Sequence, residues 1–408
     1  MGCLLLLLLL LVSTVDGGAN ASCLSSQASI LLRIKEDLHL SNGRLSSWGR
    51  NEPDCCSWEG VECDFHTGYI IGLELPGKAI IDSAYAMGNE KWKRDIAGSR
   101  ILPALFYLHL LHHLDLSGCD FNMSTIPSQF AQLTHLNLSN AWFLGKVPDE
   151  ISSLSNLVAL DLSYTIGLLK IQDLEGFVKN FKQLKYLHLD NVIFNLSNSQ
   201  EWGAKLASAL PNLRSLSLAF CDLGGNLTHI FKLPHLQALD LSNNNFHGEL
   251  MPLFFSPKSN IYKNNSVTQE ISASLCNLTE LWLVDFSNNK FSGQIPTCFF
   301  NLSLAIAKLQ NNQLQGQIPG NTRDSWKALD LSDNRLEGHI PKALGHCEGL
   351  AFINLGKNKL SGGFPSWLSK LPKLSILVSR SNFLSGAINF SFDESVFQGL
   401  LMLDISTN

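Results

Sequence analysis

"WKALDLSDNRLEGHIP", Trp326 to Pro341, sets leucines at 329, 331 and 336, an asparagine at 334 and a Gly-x-Ile-Pro ending. The same arrangement returns in "LQALDLSNNNFHG" (Leu236 to Gly248), "LWLVDFSNNKFSGQIP" (Leu281 to Pro296) and "LAFINLGKNKLSGGFP" (Leu350 to Pro365). The asparagine slot falls at 289, 312, 334, 358 and 382, spacings of 23, 22, 24 and 24. Looser copies begin at Ile70, Leu111, Leu133, Leu157, Leu184 and Leu213. A block of this length cannot shield its own leucines, so the copies must stack.

The template L-x-x-L-x-L-x-x-N-x-L-x-G-x-I-P is that of a leucine-rich repeat. It predicts an α/β fold, a leucine-rich-repeat solenoid: a curved right-handed superhelix with a concave parallel β-sheet. The L-x-L alternation has the period of a strand, so those leucines point inward. The asparagine can bond backbone groups at the turn that follows, and Cys119 and Cys221 replace it in two copies. Two layers read as weak. Ser379 takes a slot that wants a buried leucine, at an expected loss of about 2 kcal/mol. Between Gly248 and Leu275 the template would place Pro257, Asn260 and Tyr262 on the strand, so 251–272 reads as an irregular loop or degenerate repeat. The repeats thus fall into blocks at 69–250 and 273–408, with no C-terminal cap.

The 408-residue chain is 45% hydrophobic with a formal charge of -5, and its basic residues form no run, which argues against nucleic-acid binding. Its start, "MGCLLLLLLLLVSTVDGGANASC", reads as a signal peptide over 1–19, cut near Gly18 to Ala21. Leu6 stands where a myristoylation motif needs Ser or Thr. No other stretch is long and apolar enough to span a membrane, so this chain is expected to carry no membrane span. Nine N-glycosylation patterns, at Asn20, Asn122, Asn137, Asn195, Asn226, Asn264, Asn277, Asn301 and Asn389, favour the secretory route. Its ten cysteines then belong to an oxidising compartment.

A solenoid needs a cover over its first leucines. Residues 20–68 can supply it: "LLRIKEDL" (Leu31 to Leu38) has the spacing of an amphipathic helix and "CCSWEGVEC" (Cys55 to Cys63) follows. Cys23, Cys55, Cys56 and Cys63 can staple this cap in any of three pairings. A zinc site is the rival use, disfavoured by the compartment and by the lack of a paired histidine motif. No metal or cofactor is expected.

The order signal, Cys23, "CCSWEGVEC" and repeats ending in "GxIP" resembles plant extracellular leucine-rich-repeat proteins. "GRLSSW" (Gly43 to Trp48), "LCNLTELWLVDFSNNKFSGQIP" (Leu275 to Pro296) and "FPSWL" (Phe364 to Leu368) resemble plant receptor-like proteins of the wilt-resistance (Verticillium) type, over roughly residues 23 to 408. That resemblance implies pairing of Cys23 with Cys55 and of Cys56 with Cys63. It also implies a cell-surface receptor that recognises a protein or peptide ligand, of microbial or developmental origin, and signals through partner receptor kinases. Relatives continue through further repeats, a membrane helix and a short tail. The expectation here is therefore a shortened ectodomain, apoplastic as written and at the plasma membrane if a fuller form carries the helix.

Variable positions on the strands should line the concave wall. The middle row runs Asp115, Asn137, Asp161, His188, Ser217, Asp240, Asp285, Lys308, Asp330, Asn354, Val378, Asp404. Its acids belong to the generic "LDLS" phrase, or else form a stripe that selects basic peptides. Tyr164, Tyr186, His188, Phe220 and Trp282 also fall on variable positions, and exposed aromatics anchor interfaces. With Asp240 and Asp285 they make the candidate ligand-binding face, C-terminal to a glycan on Asn137. His113 and His135 should sit about 5 Å apart on adjacent strands, as a polar patch, a metal pair or a pH-sensitive one.

Enzyme signatures fail. "GLELPGKA" (Gly72 to Ala79) has Ala79 where a phosphate loop needs Ser or Thr, and neither G-x-S-x-G nor H-E-x-x-H occurs. The alternatives to a receptor module are a secreted inhibitor resembling the plant polygalacturonase inhibitors, which would end in a cysteine-bearing cover, and a non-functional truncated gene product. Leu400, Leu403 and Ile405 have no following layer, which predicts an apolar face open to water and self-association there.

Overall fold

The computed structural model describes residues 21–37, 45–49, 52–77, 104–119, 121, 123–130, 132–165, 167–195, 202–225, 227–246, 270–386 and 397–408. The signal-peptide segment and residues 251–269 of the irregular segment lie outside them, as do Asn20, Asn122, Asn226, Asn264 and Asn389. Among the described residues no helix is long and apolar enough to cross a membrane.

From His113 on, each described concave strand is three residues long, such as Ala328–Asp330, because the alternating apolar positions suffice to anchor it inward. Fourteen strands form one sheet in which sequence order is spatial order. The first pair, Val61–Cys63 and Ile70–Glu74, is antiparallel and ties the cap to the repeats; every later pair is parallel. Register is fixed by the central apolar residue: Leu216 faces Leu239, Leu239 faces Val284, Leu329 faces Ile353. These side chains are sealed from water, since a one-residue slip would expose a whole row.

Strand Ala238–Asp240 hydrogen-bonds directly to Leu283–Asp285, which makes the two neighbours in the sheet although 42 residues separate them in the chain. The asparagine slot welds each layer to the one before. Asn334 Nδ2 donates to the Leu309 carbonyl at 2.9 Å and its Oδ1 accepts from the Leu314 N–H at 3.0 Å. The cysteines in that slot do half of this: Cys119 Sγ donates to the Leu75 carbonyl and Cys221 Sγ to that of Leu189, both at 3.2 Å. Ser379 is fully buried and its hydroxyl has no hydrogen-bond partner.

Past each asparagine the Gly-x-Ile stretch builds a second flank. Ser292–Gln294, Gln313–Gln317, Arg335–Gly338, Lys359–Gly363 and Phe383–Ser385 pair as a five-stranded sheet. Gly338 has φ +79° there and a Cβ would fall 2.9 Å from Gln317 Cγ, so both backbone and space demand glycine. Proline then starts a 3-10 turn, as Pro296 does for Thr297–Asn301. Cys276 and Cys298 form a disulfide between the adjoining turns Ala273–Asn277 and Thr297–Asn301. Cys347 is a buried thiol.

The cap is a helix, Ser25–Asp37, whose Leu31 and Ile34 are fully buried. Trp48 stacks on Trp58 with ring centroids 5.6 Å apart. Gln27 Oε1 accepts from the Ile70 N–H at 2.8 Å, which seats the helix on the first repeat strand. Cys23 pairs with Cys55 and Cys56 with Cys63, as the resemblance implied, and no thiol of the four is left for zinc. In the final layer Leu401, Met402 and Leu403 are exposed.

Candidate functional site

The concave wall is legible as registered rows. Asp161 faces His188, His188 faces Ser217, Ser217 faces Asp240 and Asp240 faces Asp285. Asp residues of this row first serve the turn: Asp240 Oδ1 accepts from the Ser242 N–H at 2.9 Å, and Asp161, Asp285 and Asp330 repeat the bond with Ser163, Ser287 and Ser332. The "LDLS" acids are therefore structural, and their setting decides what else they do.

That setting is unusual between Ala159 and Asp285. His188 shares a hydrogen bond with Ser215 Oγ at 2.9 Å through Nε2 and lies 3.5 Å from Asp161 Oδ2 through Nδ1. Burial would lower its pKa, but the Asp161 hydrogen bond and charge, with Asp190 and Asp240, leave it raised. Asp190 occupies a slot that is serine in most layers, and sequence reading missed it; "LHLDN" in place of "LDLSN" was the available signal. It is buried, its Oδ1 accepts hydrogen bonds from the Ser217 hydroxyl at 2.6 Å and the Ala219 N–H at 2.8 Å, and burial raises its pKa. Burial and then the Asp285 charge push the Asp240 carboxyl up to about 6.

Tyr164 and Phe220 require a correction. They do not lie on the concave strands. Each sits in the turn after its strand, at φ +55° and +57°. Other layers fill this slot with Asn140, Asn191, Asn243, Asn288 or Asn311, which tolerate the left-handed region. The two rings are 44% and 51% exposed, yet meet edge-to-face at 6.3 Å across the intervening layer. Tyr164 also lies in the field of Asp190, Asp240 and Asp285, and its hydroxyl pKa is raised, first by burial. Tyr186 stands on the strand beside His188, half-buried. Trp282 is separate: it precedes strand Leu283–Asp285, at the end of the strands opposite the Tyr164–Phe220 turns.

Nearer the cap, the His113 and His135 rings are 5.3 Å apart, and His113 Nε2 is 3.5 Å from Glu74 Oε1. Burial and His113 lower the pKa of His135. Among the described residues no third donor joins this pair at metal-ligand spacing. Asn137, next to them, is half-buried and donates to Asp115 Oδ2 at 3.0 Å. Asn195, Asn277 and Asn301 are exposed, the last two closing the disulfide-linked 3-10 turns.

A stacked parallel wall with a cluster of aromatic and acidic groups and a disulfide-closed cap defines a leucine-rich-repeat recognition scaffold. The Leucine rich repeat N-terminal domain family matches residues 24–64, and Leucine Rich Repeat families match 110–133, 132–154, 209–226, 235–256, 277–302 and 325–347. Receptor-like protein EIX1 of Solanum lycopersicum is 29% identical over 79% of this chain and 27% of its own length. Receptor like protein 22 of Arabidopsis thaliana is 33% identical over 75% of this chain and 38% of its own length. The chain belongs to the plant leucine-rich-repeat receptor-like proteins and spans well under half the length of these relatives. A TDR receptor structure, 23% identical, matches 75% of this chain and 61% of that one at TM-score 0.49, a likeness too loose to bear on ligand.

Proposed function

We propose that this chain is the ligand-recognition part of an extracellular receptor-like protein, and that the edge of its concave wall where the Tyr164 and Phe220 turns follow their strands, between Ala159 and Asp285, takes a protein or peptide ligand. The observation that carries the reading is the Tyr164–Phe220 pair. Two bulky aromatics held exposed, in a backbone region that costs about 1–2 kcal/mol per residue, persist where the surface itself is used. Exposed rings beside a half-buried polar row are the material of an interface anchor. Recognition at the cell surface, with the signal handed to a partner receptor kinase in defence against a microbe, completes the proposal. The six disulfide-bonded cysteines and the exposed Asn195, Asn277 and Asn301 suit the apoplast.

Panning a random peptide library on the immobilised chain tests the reading. Peptides enriched on the wild type and lost on a folded Tyr164→Ala/Phe220→Ala variant are expected. Equal enrichment on both, or none on either, would overturn it. Kinase partnership is read separately, by co-purification from plant membranes.

A further inference from the structure

The first residue of each concave strand faces solvent. Its chain neighbours Val284, Ala307, Leu329, Ile353 and Leu377 are fully buried, and successive residues of a strand point to opposite faces. In the earlier layers this outward position is His113, His135, Ala159, Tyr186, Ser215 and Ala238. From Leu283 it becomes apolar without a break: Leu283 faces Ile306, Ile306 faces Ala328, Ala328 faces Phe352 and Phe352 faces Ile376. All five are half-buried. The fold gives these side chains no task of its own, since the turns are capped by Asp285 and Asp330 and the layers are welded by asparagines. Ala328, the smallest, leaves a notch between Ile306 and Phe352.

The borders of this stripe carry charge in one layer. On one side the preceding residues are Trp282, Ala305, Lys327, Ala351 and Ser375. Lys327 is their one charge; it is exposed, and among the described residues it pairs with no acid. On the other side Asp285 and Lys308 neutralise each other at 3.0 Å, and Asn354 and Val378 are neutral. Asp330 accepts from Ser332 and Asn354 but meets no cation. The notch at Ala328 therefore lies between one cation and one anion that nothing in the chain neutralises.

We propose that this stripe takes an amphipathic α-helix of a protein partner, laid across the strands along the solenoid. Its apolar ridge covers the row from Leu283 to Ile376 with one large side chain in the Ala328 notch, an acid toward Lys327 and a base toward Asp330. Spacing selects a helix. Layers repeat every ~4.8 Å and helix turns every ~5.4 Å, so the two drift by only about 2.4 Å over the row. An extended peptide presents one face every ~6.8 Å and drifts by about 4 Å, most of a layer, within two steps. A helix of roughly 13 residues spans the ~19 Å of the row with one apolar side chain per layer. The opposed charges fix which flank of the helix lies on which side. This surface is separate from the Tyr164–Phe220 edge and goes beyond the reading given above.

A displayed library of helical peptides, with leucine fixed once per turn and both flanks randomised, tests the proposal on the immobilised chain. Captured peptides should carry an acid on one flank and a base on the other. They should bind about tenfold more weakly to Ala328→Gln, which fills the notch, and to Phe352→Ser. Lys327→Glu changes only an exposed side chain; it should cost a similar factor and regain it when the peptide's acid is replaced by lysine. Circular dichroism and thermal melts check that each variant folds. The Tyr164→Ala/Phe220→Ala variant should capture the helices as wild type does, which keeps this test apart from the earlier one. No capture, or capture that Ala328→Gln and Lys327→Glu leave unchanged, would overturn the site. Equal binding after a proline is placed mid-peptide would overturn the helix in favour of an extended occupant. Self-association of the chain that Ala328→Gln abolishes would overturn it in favour of a second copy.

Discussion

Asn289 Nδ2 donates at 2.8 Å to the carbonyl of Leu241, which lies 48 residues earlier, while its Oδ1 accepts from the Phe246 N–H at 3.0 Å. The same bond from Asn334 to Leu309 spans 25 residues. Asn289 makes the same bonds over this longer stretch of chain, so one side chain closes a gap about twice the ordinary length.

Asn289→Ala should therefore be among the costliest changes to the asparagine ladder. It strips a buried carbonyl and a buried N–H of their partners, for an expected loss of about 2–4 kcal/mol. Urea denaturation of the variant against wild type measures it, and the drop should exceed that of Asn311→Ala, whose side chain only meets Asn288 at the surface.

Phe220→Asn should move stability and binding in opposite directions. Asparagine is what other layers carry in this left-handed turn, and it should stabilise the fold by about 0.5–1 kcal/mol. The same variant removes one ring of the exposed pair and should weaken peptide capture. Thermal melts and binding titrations on one preparation check both.

Asp240 sets a pH dependence. Its folded-state pKa of about 6 lies above the unfolded carboxylate value of about 3.9. Between those values the folded chain holds a proton that the unfolded chain has lost, so stability falls as pH rises through the window. Asp240→Asn should raise stability at pH 7.5 by about 1 kcal/mol and leave it unchanged near pH 4. Equilibrium urea curves of both proteins from pH 4 to 8 measure the effect.

Ser379→Ala removes a buried hydroxyl that has no partner and adds no volume. A gain of about 1 kcal/mol is expected in chemical denaturation. Leu331 and Leu355 fill the equivalent slot in the two preceding layers, and both are fully buried.

Cys298→Ser opens the disulfide to Cys276, which joins residues 22 apart in the adjoining turns Ala273–Asn277 and Thr297–Asn301. Its loss should cost about 3 kcal/mol. Non-reducing peptide mapping verifies the pairing, and comparison of melts with and without reductant measures the effect.

The repeat was written in the sequence because its cause is local. Leu329 and Leu331 alternate within one short strand, and the spacing of Asn312, Asn334 and Asn358 states how far apart layers begin, so solenoid, concave sheet and middle row could all be read directly. The cap's cysteines were legible, while their pairing came from resemblance. What tertiary structure alone decided depends on which layers touch. Asp190 stands out only once the fold buries it beside Ser217 and Ala219. Tyr164 and Phe220 had the spacing of strand residues, yet the turn twisted both out of the strand and brought their rings together across a layer. The direct contact of Ala238–Asp240 with Leu283–Asp285, and the bond from Cys276 to Cys298, answer to stacking over tens of residues. Periodicity sets what each slab contains; only packing sets what lies next to it.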